Sequence, residues 1–320
     1  MMGVQYTFDL DQIFSKPGPL TVAYGMGTDS TALLIELVKR GIRPDLITFA
    51  ETGSEHPRTY AYLPIINAYL LDHGFPTITI VQYVPKRFKN GPYDTLAGNC
   101  LANKTLPSLA FGRKSCSIKW KARPQEKYIL KYWPPGMEAL KTKTPIRRLI
   151  GYDAGPKDSQ RGAIIPNPKF YYAYPLQFWG IDRQGSEDII KEAGLPQPGK
   201  SSCYFCPSFK PNELKQLALE FPDLAARAIA LEDGARPNLK VIKGLWRKGT
   251  KKRPGSWRAY LEAFGLLPEI RPEHYSATPS PLPPSSYKAA IYPGLMVYDH
   301  TTDPLFYGKQ TMPALEGILV

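Results

Sequence analysis

A glycine-bearing turn near the N-terminus combines residue types that could bind phosphate. A short β-branched run leads into the turn, an apolar helical pattern follows it, and the segment reads Tyr24-Gly25-Met26-Gly27-Thr28-Asp29-Ser30-Thr31. Backbone N–H groups at such a helix start lie at the positive dipole end, where phosphate oxygens bind well. The hydroxyls of Thr28, Ser30 and Thr31 can add hydrogen bonds, and Asp29 can hold a metal ion or order the loop. The alternative is a plain strand-to-helix connector with a Ser or Thr cap.

Four cysteines form a second candidate site: Cys100, Cys116, Cys203 and Cys206. The last two have the CxxC spacing that lets two thiolates bind one metal ion or cluster. Residues 1–10 contain no apolar block, so we expect no signal peptide, a cytoplasmic location and reduced thiols. Four thiolates suit Zn²⁺ or an iron–sulfur cluster, and the alternative is one buried CxxC with two ordinary core thiols.

Two further loops carry polar residues directly after apolar runs. Glu51-Thr52-Gly53 follows one such run, and its main-chain groups could hydrogen-bond an adenine edge. Residues 151–161 follow another, and Arg161 could pair with phosphate or sulfate through its planar guanidinium. Each is an ordinary polar loop when taken alone. A fifth segment surrounds Cys116 with basic residues, which favour a thiolate, and these are Arg113, Lys114, Lys119 and Lys121.

The charge of the chain favours a polyanionic partner. The net charge is +13 and the pI is about 9.4, which indicates DNA or RNA, or nucleotide substrates; the alternative is a basic surface without a dedicated partner. Residues 234–260 contain no acidic residue and interleave cations with Trp246, Trp257 and Tyr260. Cations can follow a phosphate backbone and aromatic rings can stack on bases, although a solvated helix face has the same pattern. The cations are Lys240, Lys243, Arg247, Lys248, Lys251, Lys252, Arg253 and Arg258.

The elements that must position these residues alternate between strand and helix. We predict strands over 20–24, 45–50, 77–83 and 147–153, with helices over 30–40 and 57–73 between the first three. Such alternation predicts an α/β fold, a twisted parallel sheet with helices on both faces, which binds ligands beyond the carboxyl ends of its strands. Further helices are predicted over 120–132, 186–193, 212–220 and 224–232. No run is long and apolar enough to span a bilayer, so we expect no membrane partner.

Two domains are expected along the chain. Residues 1–235 form a nucleotide-binding domain that includes the CxxC metal site. Residues 236–320 form a basic, proline-rich C-terminal region for nucleic-acid or partner binding, with two short strands possible over 290–320.

Taken in order, these segments resemble the phosphoadenosine-phosphosulfate (PAPS) reductase-like family of PP-loop N-type ATP pyrophosphatases, over about residues 20–235. The segment 25–30 matches the family's SGGxDS loop, with Gly25 for its Ser and Met26 for its first Gly. Residues 51–53 match its DTG turn, and residues 151–161 match its G-I-R-x-x-E-S-x-R loop with Tyr152 and Asp153 for Ile-Arg. Cys116-Ser117, Pro175-Leu176 with Trp179, and the CxxC complete the set.

The resemblance implies a PP-loop, Rossmann-like fold that binds ATP with Mg²⁺, and a [4Fe–4S] cluster held by Cys116, Cys203 and Cys206, with Cys100 as fourth ligand by count. It implies that Asp29, Ser30 and Arg161 act in catalysis. The implied nucleotide-binding residues are Gly25, Met26, Gly27, Thr28, Asp29, Ser30, Thr31, Ala50, Glu51, Thr52, Gly53 and Gly151.

The layout is most similar to the cluster-bearing DNA phosphorothioation ATPases. The implied function is an ATP pyrophosphatase that activates nucleic acid for sulfur insertion, with a sulfur donor such as a cysteine desulfurase. One alternative is a PAPS or adenosine phosphosulfate reductase, whose thiol-dependent members use a C-terminal cysteine that is missing after Cys206. The other is a non-enzymatic nucleic-acid-binding protein stabilised by Zn²⁺.

Overall fold

A five-stranded parallel sheet forms the centre of the N-terminal part of the molecule. The computed structural model describes residues 10–83, 85, 87–159 and 167–278, with side chains from residue 13 onward. The strands are β1 Leu20–Ala23, β2 Leu46–Glu51, β3 Ile78–Gln82, β4 Ile146–Ile150 and β5 Phe170–Ala173. Their order across the sheet is β3-β2-β1-β4-β5. The order reverses between β1 and β4, and a parallel sheet binds ligands at such a reversal.

Thirteen α-helices lie in the described part of the chain, together with short turns of other helix types. The helices are α1 Leu10–Ser15, α2 Thr28–Lys39, α3 Pro57–Asp72, α4 Leu96–Ala102, α5 Ser115–Ser117, α6 Arg123–Lys131, α7 Pro134–Lys141, α8 Pro156–Ser159, α9 Pro175–Phe178, α10 Arg183–Glu192, α11 Pro211–Glu220, α12 Pro222–Ala235 and α13 Trp257–Ala263. A π-helical turn, Ile118–Ala122, joins α5 to α6, and a 3-10 turn, Ser108–Phe111, precedes α5. None of these helices has the length and apolarity that a bilayer crossing requires.

Alternating side chains of the strands give the sheet two apolar faces. Ile47 and Phe49 of β2 pack with Leu33 of α2 and Leu63 of α3 on one face. On the other face, Leu46 packs with residues of α6 and α7. The α/β fold with helices on both faces of a parallel sheet is therefore confirmed.

A separate apolar core surrounds the cysteines. It joins α4, α11 and α12 to residues that follow α12, among them the fully buried Trp257. The same core as that of the CxxC segment therefore includes Leu245, Trp246, Trp257, Tyr260 and Leu261. The predicted domain boundary after residue 235 stays a prediction.

Most predicted elements are observed within a few residues of their expected ends. The strand expected over 147–153 ends at Ile150, because Gly151 packs against the start of α2. The helix expected over 120–132 is a π-turn followed by α6. Strand β5 and helices α4 and α7 are present but were not predicted from the sequence. The strands expected over 290–320 lie outside the described residues.

Candidate functional site

The turn between β1 and α2 is held in shape by two of its own side chains. The Ser30 hydroxyl accepts hydrogen bonds from the N–H groups of Gly25 and Gly27, each at 3.2 Å, and donates to the Gly27 carbonyl at 3.0 Å. Thr31 is fully buried and shares a 2.9 Å hydrogen bond with the Tyr24 hydroxyl behind the turn. Both hydroxyls are thus engaged within the turn, so Ser30 and Thr31 position it. The N–H groups of the first turn of α2, which lack intrahelical acceptors, remain for an anion.

Met26 takes up the backbone conformation that favours glycine. Its φ is 58°, in the left-handed region, which costs a non-glycine residue about 1–2 kcal/mol. Its side chain is 1% exposed and packs in the core beneath the turn with Tyr24 and Leu33. Because this side chain is buried, Met26 leaves the outer side of the turn uncovered.

Two glycines bring other loops against this turn. A Cβ atom added to Gly27 would lie 2.5 Å from Ser201 Oγ, two residues before the CxxC. A Cβ atom added to Gly151 would lie 2.6 Å from the Cα atom of Ser30. The loop after β4 and the segment that leads into Cys203 therefore meet at the start of α2.

Three aspartates converge beside the turn. One carboxylate oxygen from each of Asp29, Asp153 and Asp158 lies within 4.8 Å of the other two. Burial raises the pKa of Asp29, Arg183 opposes the rise, and Asp153 adds to it. A cation among the three would relieve this repulsion, and oxygen ligands are those that Mg²⁺ prefers. The donor set therefore fits a hard divalent cation.

Arg183 connects helix α10 to the same turn. Its Nη1 atom lies 3.1 Å from Asp29 Oδ1, and its Nη2 donates to Thr28 Oγ1 at 2.8 Å. More than half of the Arg183 side chain is exposed. The guanidinium thus adds a cation beside the start of α2, where an anion would be bound.

The turn after β2 is more enclosed than its sequence indicates. Glu51 is buried, and its Oε1 accepts hydrogen bonds from the Tyr60 hydroxyl at 2.8 Å and from the Gly53 N–H. Burial, together with neighbouring Glu55, raises the pKa of Glu51 to about 7. Ala50 and Thr52 are also buried. The Glu51 carboxyl group therefore helps to order this turn, and the assignment of residues 50–53 to a nucleotide site stays a prediction.

The four cysteines lie in one apolar core, although three separate chain segments supply them. Cys203 and Cys100 are buried there, and Cys116 and Cys206 pack against the same core. The Cys206 N–H donates to the Cys203 carbonyl at 2.9 Å, which gives the CxxC segment a tight turn. Burial raises the pKa of the Cys100, Cys203 and Cys206 thiols. Because metal ligation needs thiolates, a metal or cluster bound here would displace protons from these thiols.

Zn²⁺ and an iron–sulfur cluster require different distances between the sulfur atoms of their cysteine ligands. Among the described residues, the aspartates form the one set of three potential ligands whose donor atoms lie mutually within 4.8 Å, and the cysteines form no such set. Tetrahedral Zn–S bonds of about 2.3 Å require sulfurs about 3.8 Å apart. An iron–sulfur cluster binds each cysteine to a different iron and so accepts wider spacing. Zn²⁺ and an iron–sulfur cluster both remain candidate groups for these four cysteines.

An ion pair between a half-buried lysine and a buried glutamate lies beside Cys203. Lys121 Nζ is 2.8 Å from Glu55 Oε1, and the Glu55 side chain is 1% exposed. Burial alone would lower the pKa of Lys121, but Glu55 and the thiols raise it above its ordinary value. Glu55 Oε2 is buried and has no hydrogen-bond partner among the described residues. Of the basic residues that surround Cys116 in the sequence, Lys121 therefore turns inward towards the CxxC.

The aromatic residues of the basic segment do not offer stacking faces. Trp246, Trp257 and Tyr260 are each at most 5% exposed and belong to the cysteine core. The expectation that they stack on bases is wrong, because they anchor the segment from inside. Arg258 is also engaged, in ion pairs with Asp233 and Glu262. The exposed cations of this segment are Lys240, Lys243, Arg247, Lys248, Lys251 and Lys252.

Several residues of this region had no assigned role in the sequence-based expectation. Asp153, Asp158 and Arg183 reach the first turn through contacts distant in sequence, so only the acidic loop after β4 gave a signal for them. His56 is the N-cap of α3, where its Nδ1 accepts a hydrogen bond from the Arg58 N–H at 3.2 Å. Arg161, expected to act in catalysis, lies outside the described residues.

No family model matches this sequence, and no curated protein matches it. Among solved structures, the chain is similar to the U34-tRNA thiolase NcsA from Methanococcus maripaludis with its [4Fe-4S] cluster. The two chains are 13% identical, and the match covers 81% of this chain and 85% of the other with a TM-score of 0.37. The function of this chain is therefore inferred from its own side chains.

Proposed function

We propose that this protein binds ATP at the turn between β1 and α2 and releases pyrophosphate from it. The observation that carries the proposal is the set of three aspartates beside the helix-terminal N–H groups of that turn. Helix-terminal amides bind phosphate oxygens, and carboxylates hold the divalent cation that accompanies ATP. Asp29, Asp153 and Asp158 would hold Mg²⁺, which neutralises charge on the leaving pyrophosphate.

The reaction that this site suits is adenylation of a target. An oxygen of the target attacks the α-phosphorus of ATP, the new O–P bond forms, and the bond to the pyrophosphate oxygen breaks. The turn and Arg183 would orient the phosphates and stabilise charge on them, so catalysis is mostly positioning and electrostatics. Ser30 acts as a positioning residue in this scheme, because its hydroxyl maintains the turn. The catalytic role of Arg161 remains part of the proposal.

We propose further that Cys100, Cys116, Cys203 and Cys206 hold a [4Fe–4S] cluster. The shared core and the nearby Lys121 cation support an anionic cluster over Zn²⁺. When bound, such a cluster supplies iron for holding or transferring sulfur. Lys121 would balance part of its negative charge, and the surrounding apolar residues would keep water from it.

The target that we propose is a nucleic acid that receives sulfur, as in DNA phosphorothioation or a related modification. Hydrosulfide would then attack the adenylated target: the bond to sulfur forms, the bond to the AMP oxygen breaks, and AMP leaves. A cysteine desulfurase could supply this sulfur if a thiol reductant, itself oxidised to a disulfide, releases it from the persulfide as hydrosulfide. The exposed cations between residues 240 and 252 and the net charge of +13 support a polyanionic partner.

The test is pyrophosphate release from ATP by the full chain purified without oxygen. Asp29→Asn should abolish release while thermal unfolding stays close to wild type, because Asp29 lies in the first, partly exposed turn of α2. The matched control is Asp72→Asn at the exposed end of α3. Wild-type protein that loads its cluster but neither binds nor cleaves ATP would refute the proposal.

A further inference from the structure

A cavity of about 650 Å³ opens beside the cysteine core. Its wall comes from α4, from the segment between residues 105 and 120, and from residues 241–248. Cys100 and Cys116 form part of this wall, whereas Cys203 and Cys206 do not line it. Its volume lies in the range of pockets that bind small organic molecules, and it is large enough for one nucleotide.

The charged residues in this wall are all cations. Arg113, Lys119, Arg247 and Lys248 line the cavity, and no acidic residue does. In the part of the chain that the structure describes, none of these four side chains forms an ion pair with a carboxylate within 4.0 Å. Unpaired cations around a concave surface attract an anion, and four of them match a group with more than one negative charge.

Arg247 is held at the cavity by the fold around it. A Cβ atom added to Gly112, whose φ is +76°, would lie 2.5 Å from Arg247 Nη1, so glycine at that position leaves room for the guanidinium. The Arg247 loop is anchored by Glu232, a buried carboxylate that accepts from the N–H groups of Leu245 at 2.7 Å and Trp257 at 2.9 Å. The cation is therefore attached to a loop that the core fixes on both sides.

The remaining wall suits a nucleobase. Phe111 is 37% exposed and ends the 3-10 turn that precedes Gly112, so part of its ring is available for stacking. Leu106 and Trp120 add apolar surface, and Asn99 and Thr105 add an amide and a hydroxyl for the edge of a base. Aromatic stacking with nearby cations is the chemistry that binds single-stranded nucleic acids.

We propose that this cavity binds one unpaired nucleotide of a single-stranded nucleic acid, with its base against Phe111 and its flanking phosphates on Arg113 and Arg247. This inference rests on the proposed function, since it names the form in which the nucleic-acid target binds. A base inside a duplex is stacked and paired, so it can enter a cavity of this kind only after leaving the stack. Single strands should therefore bind more tightly than the same sequence in a duplex.

The test is fluorescence anisotropy with labelled 12-nucleotide RNA and DNA, each as a single strand and as a duplex, on the full chain. Arg113→Gln with Arg247→Gln should weaken single-strand binding at least tenfold. Each lost phosphate contact should also reduce the slope of log K against log salt by about 0.7. Phe111→Ala should weaken binding about five- to hundredfold, which is the usual loss for one base-stacking aromatic. The matched control is Lys131→Gln with Lys191→Gln, two exposed cations away from the cavity.

The proposal would be overturned if the Arg113→Gln, Arg247→Gln protein bound single strands with the affinity and the salt slope of wild type. Equal binding of duplex and single strand would overturn it as well. Binding of free mononucleotides without any binding of oligonucleotides would overturn it too. ATP binding measured on the same proteins separates the two proposals. If the variants lose oligonucleotide binding and neither wild type nor the variants bind ATP, the result would support nucleotide binding in the cavity and refute the proposed ATP chemistry.

Discussion

The hydroxyl oxygen of Thr52 lies 3.3 Å from the sulfur of Cys203. Thr52 follows β2, beside the turn at the carboxyl edge of the sheet, whereas Cys203 belongs to the CxxC segment 151 residues later. The same hydroxyl donates to Glu55 Oε1 at 2.8 Å. This buried hydroxyl therefore links the sheet edge to the cysteine site, beside main-chain hydrogen bonds from the Tyr204 N–H to the Ser54 carbonyl and from the His56 N–H to the Ser202 carbonyl.

Replacing Thr52 by valine should destabilise the protein by about 1–3 kcal/mol, because the buried Glu55 carboxylate loses a donor. Glu55 Oε2 already lacks a partner among the described residues, so no second donor stands ready there. The measurement is urea unfolding, with Thr79→Val on β3 as the matched control. An unfolding free energy within 0.5 kcal/mol of wild type would show that the hydrogen bond contributes little.

Replacing Lys121 by methionine should cost more, roughly 3 kcal/mol, because it leaves the charge of Glu55 buried and unpaired. The double variant Lys121→Met, Glu55→Gln should recover part of that loss, since the orphaned charge is then removed. A double-mutant cycle by denaturant unfolding measures the coupling. Additive effects of the two substitutions would contradict the ion pair that the structure places beside Cys203.

Single serine substitutions test the four cysteines as ligands. Cys100→Ser, Cys116→Ser, Cys203→Ser and Cys206→Ser should each reduce iron content and visible absorbance of protein purified without oxygen, because serine is a much poorer ligand for iron–sulfur clusters. Thr77→Ala, at an exposed position before β3 and outside the cysteine core, serves as the control. Full iron content in any one cysteine variant would remove that residue from the ligand set, and one zinc with no iron in wild type would favour the zinc alternative.

His56 should make stability depend on pH. Burial lowers its pKa to about 4 from the ordinary 6.5, so the folded protein takes up the proton less readily than the unfolded chain. The contribution of His56 to the free energy of unfolding is fully present above pH 6.5. It decreases as the pH drops towards 4 and stays constant below that. The loss should be about 1–2 kcal/mol after allowance for solvent screening.

The His56→Asn variant isolates this contribution. Asparagine keeps an acceptor for the Arg58 N–H at the N-cap but does not titrate. Between pH 7 and pH 4.5, the free energy of unfolding should therefore decrease more in wild type than in the variant. Parallel pH profiles of the two proteins would show that His56 is not buried in its neutral form.

Local sequence patterns predicted the first half of the fold well. The bounds of β1, β2, α2 and α3 follow from apolar periodicity and from glycines placed after each helix, which are signals within a few residues. Strand β5 was missed because it has only four residues and comes late, after a loop without a clear pattern. Its place at the sheet edge is set by pairing with β4, which no local window contains.

The candidate site shows the same limit more clearly. Arg183 meets Asp29 across 154 residues, and Asp153 and Asp158 join them only because β4 pairs with β1. The aromatic residues among the basic segment were assigned to a surface, because alternation of cations and rings looks the same whether the rings stack on a ligand or fill a core. Trp257 fills the core.

The turn at residues 24–30 is the site that we propose for the phosphates of ATP. The most direct measurement is isothermal titration of the full chain with Mg²⁺–ATP, followed by release of pyrophosphate with and without single-stranded nucleic acid. We expect one ATP to bind per chain, and we expect Asp29→Asn to lose this binding and Asp72→Asn to keep it. The nucleic acid should stimulate the release of pyrophosphate. Undisturbed ATP binding in the Asp29→Asn protein, or no binding by wild type with its metal site filled, would contradict it.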